Sequence, residues 1–117
     1  HLNGWITKNK EYFNDIETAG HLINSSLFRP PYGKIRRSQI KQLCKTYKII
    51  MWDILSYDFD PDVSKEKCLT NVIESLRPGS IIVFHDSIKA ADRMLYALPR
   101  VLEHSIASKL LCKAIEL

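Results

Sequence analysis

Short apolar runs alternate along this chain with stretches of helical periodicity, and that alternation is what most limits the folds open to it. Ser80-Ile81-Ile82-Val83-Phe84 is continuous, β-branched and aromatic, the pattern of a central parallel strand covered on both faces. Tyr47 to Trp52 reads as another buried strand. Ser26-Leu27-Phe28-Arg29 reads as a short one stopped by Pro30-Pro31, since proline lacks the N–H a ladder needs. Lys8 to Ile23 repeats apolar residues at Tyr12, Phe13, Ile16, Ala19 and Leu22 or Ile23, which predicts an amphipathic helix. A second helix from Ser38 carries Ile40, Leu43, Cys44 and Tyr47 on one stripe. A third, capped by Ser64 and ended by Pro78-Gly79, carries Cys68, Leu69, Val72, Ile73 and Leu76. Ala90 to Ala107 is helical with Pro99 inside, which predicts a kink or a break into two short helices, and a weak strand is expected over Leu110 to Ile115. Strands alternating with helices imply right-handed β-α-β units and a parallel sheet, so the fold class is α/β.

At 117 residues with no repeat or Pro/Gly/Ser linker, residues 1–117 are expected to form a single domain. No apolar run approaches the ~20 residues needed to cross a bilayer, so no membrane span is expected. The net charge of +4 is dispersed except at Lys34, Arg36, Arg37 and Lys41, which read as a solvated helix face; a nucleic-acid module would concentrate more charge. Cys44, Cys68 and Cys112 are an odd number without a C-x-x-C pair, neither a disulfide framework nor a zinc knuckle. The opening His1-Leu2-Asn3-Gly4-Trp5 has neither an initiator Met nor a leader, the pattern of a chain that starts inside a longer polypeptide.

Three polar segments follow successive strands: Arg29-Pro30-Pro31-Tyr32-Gly33, the eleven-residue loop Asp53 to Val63, and His85-Asp86. In parallel α/β folds chemistry gathers at the C-terminal ends of strands. Taken alone, His85 with Asp86 is either a general acid with its orienting carboxylate or a pair of polar residues capping the next helix. Asp86 is assigned to the cap, while His21 and His104 are ordinary helix residues. Trp52 closes an apolar run and is assigned to the core rather than to ligand stacking.

Phe28-Arg29-Pro30-Pro31-Tyr32-Gly33, then Met51 to Phe59, then Pro78 to Asp86 resemble, in order and spacing, the later motifs of the polysaccharide deacetylases, the NodB-type carbohydrate esterase family. The resemblance implies an irregular β/α barrel, of which this chain would be an open C-terminal portion lacking the first motif and prone to self-association through exposed edges. It implies metal-dependent hydrolysis of N-acetyl groups from an N-acetylhexosamine polysaccharide such as peptidoglycan or a chitin-like glycan. The compartment expected from the family is the cell envelope, the periplasm or the exterior. The expected cofactor is a divalent metal, zinc with cobalt or nickel as alternatives, held by an upstream Asp and two His residues, of which His1 is similar to the second. On this resemblance His85 is the general acid that protonates the departing amine, and Asp58 tunes it. The Tyr32 backbone N–H holds the oxyanion, and Arg29 pairs with an upstream base Asp. Pro31, Tyr32, Asp53, Phe59 and Val83 contact substrate, Val83 against the acetyl methyl group. The family commonly has Asp-x-x-Asp-Trp where this chain has Leu55-Ser56-Tyr57-Asp58-Phe59. A reading from another class is a catalytically silent carbohydrate-binding or structural remnant, and a nucleic-acid binder using Lys34 to Lys41 is a third.

Overall fold

The computed structural model describes residues 2–116 and divides into two compact units, His1–Met51 and Trp52–Leu117. In the first, helix α1 (Asn9–Ile23) leads to strand β1 (Leu27–Phe28), a 3-10 turn at Pro31–Gly33, helix α2 (Arg37–Leu43) and strand β2 (Lys48–Ile49). The strands pair in parallel, Leu27 opposite Lys48 and Phe28 opposite Ile49. Tyr12 and Ile16, one helical turn apart, meet Leu43 in a buried core to which Phe13, Phe28, Tyr47 and Ile49 add partly buried surface. Each such side chain contributes roughly 1.5 to 3 kcal/mol when removed from water.

Two of the expected faces turn out differently. Ala19, Leu22 and Ile23 are exposed, because the contact of the last turn of α1 is made by Gly20, where a Cβ would stand 2.5 Å from the Tyr47 hydroxyl. The helix then closes with Asn24 in the left-handed conformation, its N–H donating to Gly20 O. In α2 the inward pair is Gln39 and Leu43, while Ile40 and Cys44 are exposed. Gln39 is wholly buried because its amide is fully used: Oε1 accepts from Arg36 N–H at 2.8 Å, and Nε2 donates to Gly4 O at 2.9 Å and Asn9 Oδ1 at 3.2 Å.

The second unit contains strand β3 (Ile54–Leu55), helix α3 (Lys65–Ile73), strand β4 (Ile82–Val83), a 3-10 turn at Ile88–Ala90 and helix α4 (Ala91–Ala107). β3 and β4 pair in parallel, with Ile54 opposite Ile82 and Leu55 opposite Val83. Ile54, Val72 and Val101 form its buried centre, flanked by Leu69, Ile73, Leu76, Ile82 and Phe84. The Ser64 hydroxyl accepts the Lys67 N–H at 3.1 Å, which is one half of a capping box.

The chain is thus α/β with short parallel strands, and several boundaries move. The segment expected as one loop from Asp53 contains β3, so the loop begins at Ser56, and Asp53 precedes a strand instead of following one. The strand ending at Trp52 stops at Ile49, and Trp52 is half-buried rather than core. The 80–84 run is half-buried at each residue, not covered on both faces. Pro99 does not divide α4, which runs unbroken for 17 residues. Proline costs this helix one hydrogen bond, but Pro99 lies on the exposed side while Ala97 and Val101 bury the opposite one. No strand forms over Leu110 to Ile115. The chain leaves α4 there through a left-handed Lys109, with Lys109 N–H donating to Ile106 O and Leu110 N–H to Ser105 O. Cys68 is buried, Cys44 and Cys112 are exposed, and all three thiols are free.

Candidate functional site

At the C-terminal end of the β3–β4 pair, Ser56 continues β3 by donating its N–H to Val83 O at 3.2 Å, and Phe84-His85 follows β4. Asp58 is completely buried, a position a carboxylate holds only when its oxygens are satisfied. Both are: Oδ2 accepts the His85 backbone N–H at 2.6 Å, and Oδ1 lies 2.7 Å from His85 Nδ1. An ionised carboxylate only accepts, so Nδ1 carries the hydrogen and Nε2 is the ring nitrogen left for proton exchange with a ligand. The His85 side chain is 40% exposed, so the pair joins a buried anchor to an accessible imidazole.

The loop holding Asp58 is pinned from both helices of its unit. Asn71 Nδ2 on α3 donates to Ser56 O at 3.3 Å, and Arg93 Nε on α4 donates to Asp58 O at 2.7 Å. Arg93 also bonds Lys89 O, and the Ser56 hydroxyl accepts from Asp58 N–H at 3.3 Å. Sequence reasoning finds Asp58 and His85 but misses Ser56, Asn71 and Arg93; nothing in an apolar period marks a side chain whose partner is a loop carbonyl. Between the buried Ser56 and Asp58, Tyr57 takes φ +60°, a left-handed conformation that costs a non-glycine residue about 1 to 2 kcal/mol. Phe59 stands edge-on to the His85 ring, centroids 4.9 Å apart. Cys68 lies beneath the loop. Burial pushes its thiol up and the Asp58 charge adds to that, against a Ser56 hydrogen bond and the Arg93 charge, so it is a poor nucleophile.

Asp53 sits at the other end of the strand pair. Its Oδ2 accepts the Ile81 N–H at 2.9 Å and its Oδ1 lies 3.6 Å from Arg77, so it ties the entries of β3 and β4 together and is not at the His85 end. Val83 is half-buried within β4. Asp86 is exposed, and the following 3-10 turn begins from Ser87 without a side-chain cap, which corrects the capping role.

In the first unit, Arg29 is exposed and donates Nε to Ile50 O at 3.2 Å. Pro30 is buried, and Pro31–Gly33 turns sharply with Tyr32 at φ +59° and Gly33 at φ +67°. Gly33 N–H donates to Pro30 O and Lys34 N–H to Pro31 O, which fixes the backbone around the Tyr32 amide. The segment after His1 is fastened to the exit of this turn. Gly4 N–H donates to Lys34 O at 3.1 Å, and Trp5 Nε1 donates to Ile35 O at 3.3 Å. His1 itself lies outside the described residues. Of the basic cluster, Arg36 is engaged by Thr7 O and Asn9 Oδ1, and the Lys34 ammonium lies 5.3 Å over the Trp5 ring. Among the described residues no group of three or more His, Cys, Asp or Glu side chains is arranged to hold a metal ion, so these residues do not fit one by themselves. Among them, no helix is long and apolar enough to cross a membrane.

No protein-family model matches the chain. A peptidoglycan-N-acetylglucosamine deacetylase of Bacillus cereus is 30% identical over 84 residues, covering 66% of this chain and 30% of that protein. The crystal structure of a peptidoglycan N-acetylglucosamine deacetylase in complex with 4-naphthalen-1-yl-N-oxidanyl-benzamide superposes with a TM-score of 0.72 at 25% identity, over 88% of this chain and 53% of that one. A family 4 carbohydrate esterase from Streptomyces lividans in complex with acetate gives a TM-score of 0.83 at 22% identity, over 99% of this chain and 62% of that one, a likeness of fold. The chain therefore spans about a third of the curated relative and a little over half of the solved structures.

Proposed function

Since the chain belongs with the NodB-type polysaccharide deacetylases, we propose that it carries the general acid of a hydrolase that removes N-acetyl groups from an N-acetylhexosamine polysaccharide, such as peptidoglycan or a chitin-like glycan. The observation that carries this reading is the 2.7 Å contact between His85 Nδ1 and the wholly buried Asp58. Amide hydrolysis stalls unless the departing nitrogen is protonated as the C–N bond breaks. With Nδ1–H committed to the carboxylate, His85 delivers that proton from Nε2, and the Asp58 charge stabilises the imidazolium before transfer. The Tyr32 backbone N–H is assigned to the developing oxyanion, a donor already oriented by the turn around it. Arg29 is assigned to pairing with an acidic base, and Pro31, Tyr32, Phe59 and Val83 to contacts with substrate. Asp53 is left out of the site, because its carboxylate is spent on the opposite end of the strands.

Residues 1–117 are read as part of one catalytic domain of this family. Metal dependence belongs to the proposal, with His1 as a candidate ligand; the described residues supply no ligand set, and the step assigned to His85 does not pass through a metal. The test is acetate release from an N-acetylated glycan by the chain and its His85→Ala variant, with zinc, cobalt or nickel supplied. Loss of a general acid should lower the rate by about 10²- to 10⁴-fold. An unchanged rate in the variant overturns the assignment.

A further inference from the structure

We propose that Tyr57 is a stacking ledge for the sugar ring next to the one whose amide meets His85, an inference that rests on the deacetylase reading of the Asp58–His85 pair. Ser56 and Asp58, on either side of it, are wholly buried, whereas Tyr57 is 45% exposed. Its φ of +60° is one that glycine adopts freely and a bulky aromatic residue seldom does, and such outliers gather at ligand sites. Packing does not explain why an aromatic residue stands here. The aromatic neighbour of Tyr57 is Phe59, at 6.0 Å with the planes tilted by 32°. Phe59 is itself engaged, edge-on to His85 at 4.9 Å and with the Lys89 ammonium 6.0 Å over its ring. Phe59 thus stands against both Tyr57 and His85, so that one aromatic side chain touches the accessible phenol ring and the accessible imidazole alike. A pyranose presents a face of C–H groups that packs on an aromatic ring while its hydroxyls stay in water, the amphipathic match a tyrosine makes well.

The ligand class is a linked N-acetylhexosamine oligomer. One ring at His85 leaves Tyr57 bare, while a second along the chain covers it. The experiment is an NMR titration of the 117-residue chain with N-acetylglucosamine and with its β-linked trimer, repeated on Tyr57→Gly and Tyr57→Trp. Glycine removes the ring and suits the backbone conformation, so unchanged amide shifts in α3 and α4 mark an intact fold. Tyr57→Gly should weaken trimer affinity about five- to tenfold and leave monosaccharide affinity within about twofold, while Tyr57→Trp keeps trimer binding. Equal trimer affinity in wild type and Tyr57→Gly overturns the proposal, as does a wild-type titration that moves no Tyr57 resonance. The reading of the Asp58–His85 pair fails separately, when His85→Ala leaves acetate release unchanged.

Discussion

Replacing Asp58 by asparagine isolates the chemistry of the pair with almost no change of shape. In the wild-type chain one carboxylate oxygen takes the His85 backbone N–H at 2.6 Å and the other takes the ring N–H at 2.7 Å. Both bonds have a charged acceptor, and such bonds are worth about 1.5 to 3 kcal/mol each. An amide keeps one oxygen and turns the other acceptor into an NH₂ donor. Whichever way it is seated, one of two hydrogens on His85 then faces a donor, unless the ring shifts its proton from Nδ1 to Nε2. That shift is the lower-cost response: the amide oxygen keeps the backbone N–H, and Nδ1 accepts from the new NH₂. One charge-assisted bond becomes neutral and the other is inverted. The His85 side chain is 40% exposed and its end of the interaction is screened, so the ring bond is discounted. We expect Asp58→Asn to lose about 2 to 3 kcal/mol of stability in urea denaturation, with most of the loss at the buried end. Nitrogen-15 spectra of the imidazole should show the neutral form moving from the Nδ1–H to the Nε2–H tautomer. Acetate release should fall with it, because the imidazolium has lost its buried counter-charge. A variant with wild-type stability and an unmoved tautomer would refute the argument.

Two further perturbations test the packing. The Cys68 thiol is pushed above its ordinary value of 9.0, first by burial and then by the Asp58 charge. The folded chain therefore holds this proton at pH values where the unfolded chain sheds it, and stability present below 9.0 is lost as pH rises through the folded thiol's titration. Cys68→Ala should flatten that alkaline decline in denaturation curves, and an identical slope in the variant would contradict it. A Cβ at Gly4 would stand 2.5 Å from Lys34 O and 2.8 Å from Gln39 Oε1. Gly4→Ala should therefore cost about 1 to 3 kcal/mol, read as a lower urea midpoint, and a neutral result would mean that this segment is not held where it stands.

What could be read from residues alone was whatever rests on local pattern. The stripe Cys68, Leu69, Val72, Ile73 names the inward face of α3, Leu76 packs on the same core from the turn beyond the helix's end at Ile73, and Ser64 caps the helix as expected. The segment carrying His85 was legible because an apolar run ending in a polar pair marks a strand and its exit. The strand β3 escaped notice because two residues, Ile54 and Leu55, are too few to show a period, and polar Asp53 and Ser56 enclose them. Gln39 was hidden for a different reason: a residue type that ordinarily faces water is buried here by three partners, two of them more than 25 positions away. Pro99 misled because proline breaks a helix only where its surroundings cannot absorb one missing bond, and α4 packs against α3 with Ala97 and Val101 buried before and after the proline. Arg93 could be found only once the loop carbonyl it serves had a place in space.

The fastening of Gly4 to Lys34, with Gln39 clamping the Gly4 carbonyl from below, makes the spacing between two chemically expectant segments a property of helix α2 rather than of either loop. Residues 2–5 and 31–35 are thereby locked in register like two teeth on one gear. An insertion in one would have to be matched in the other, and changes in this chain's relatives that lengthen the Tyr32 turn should be accompanied by changes in the stretch following His1.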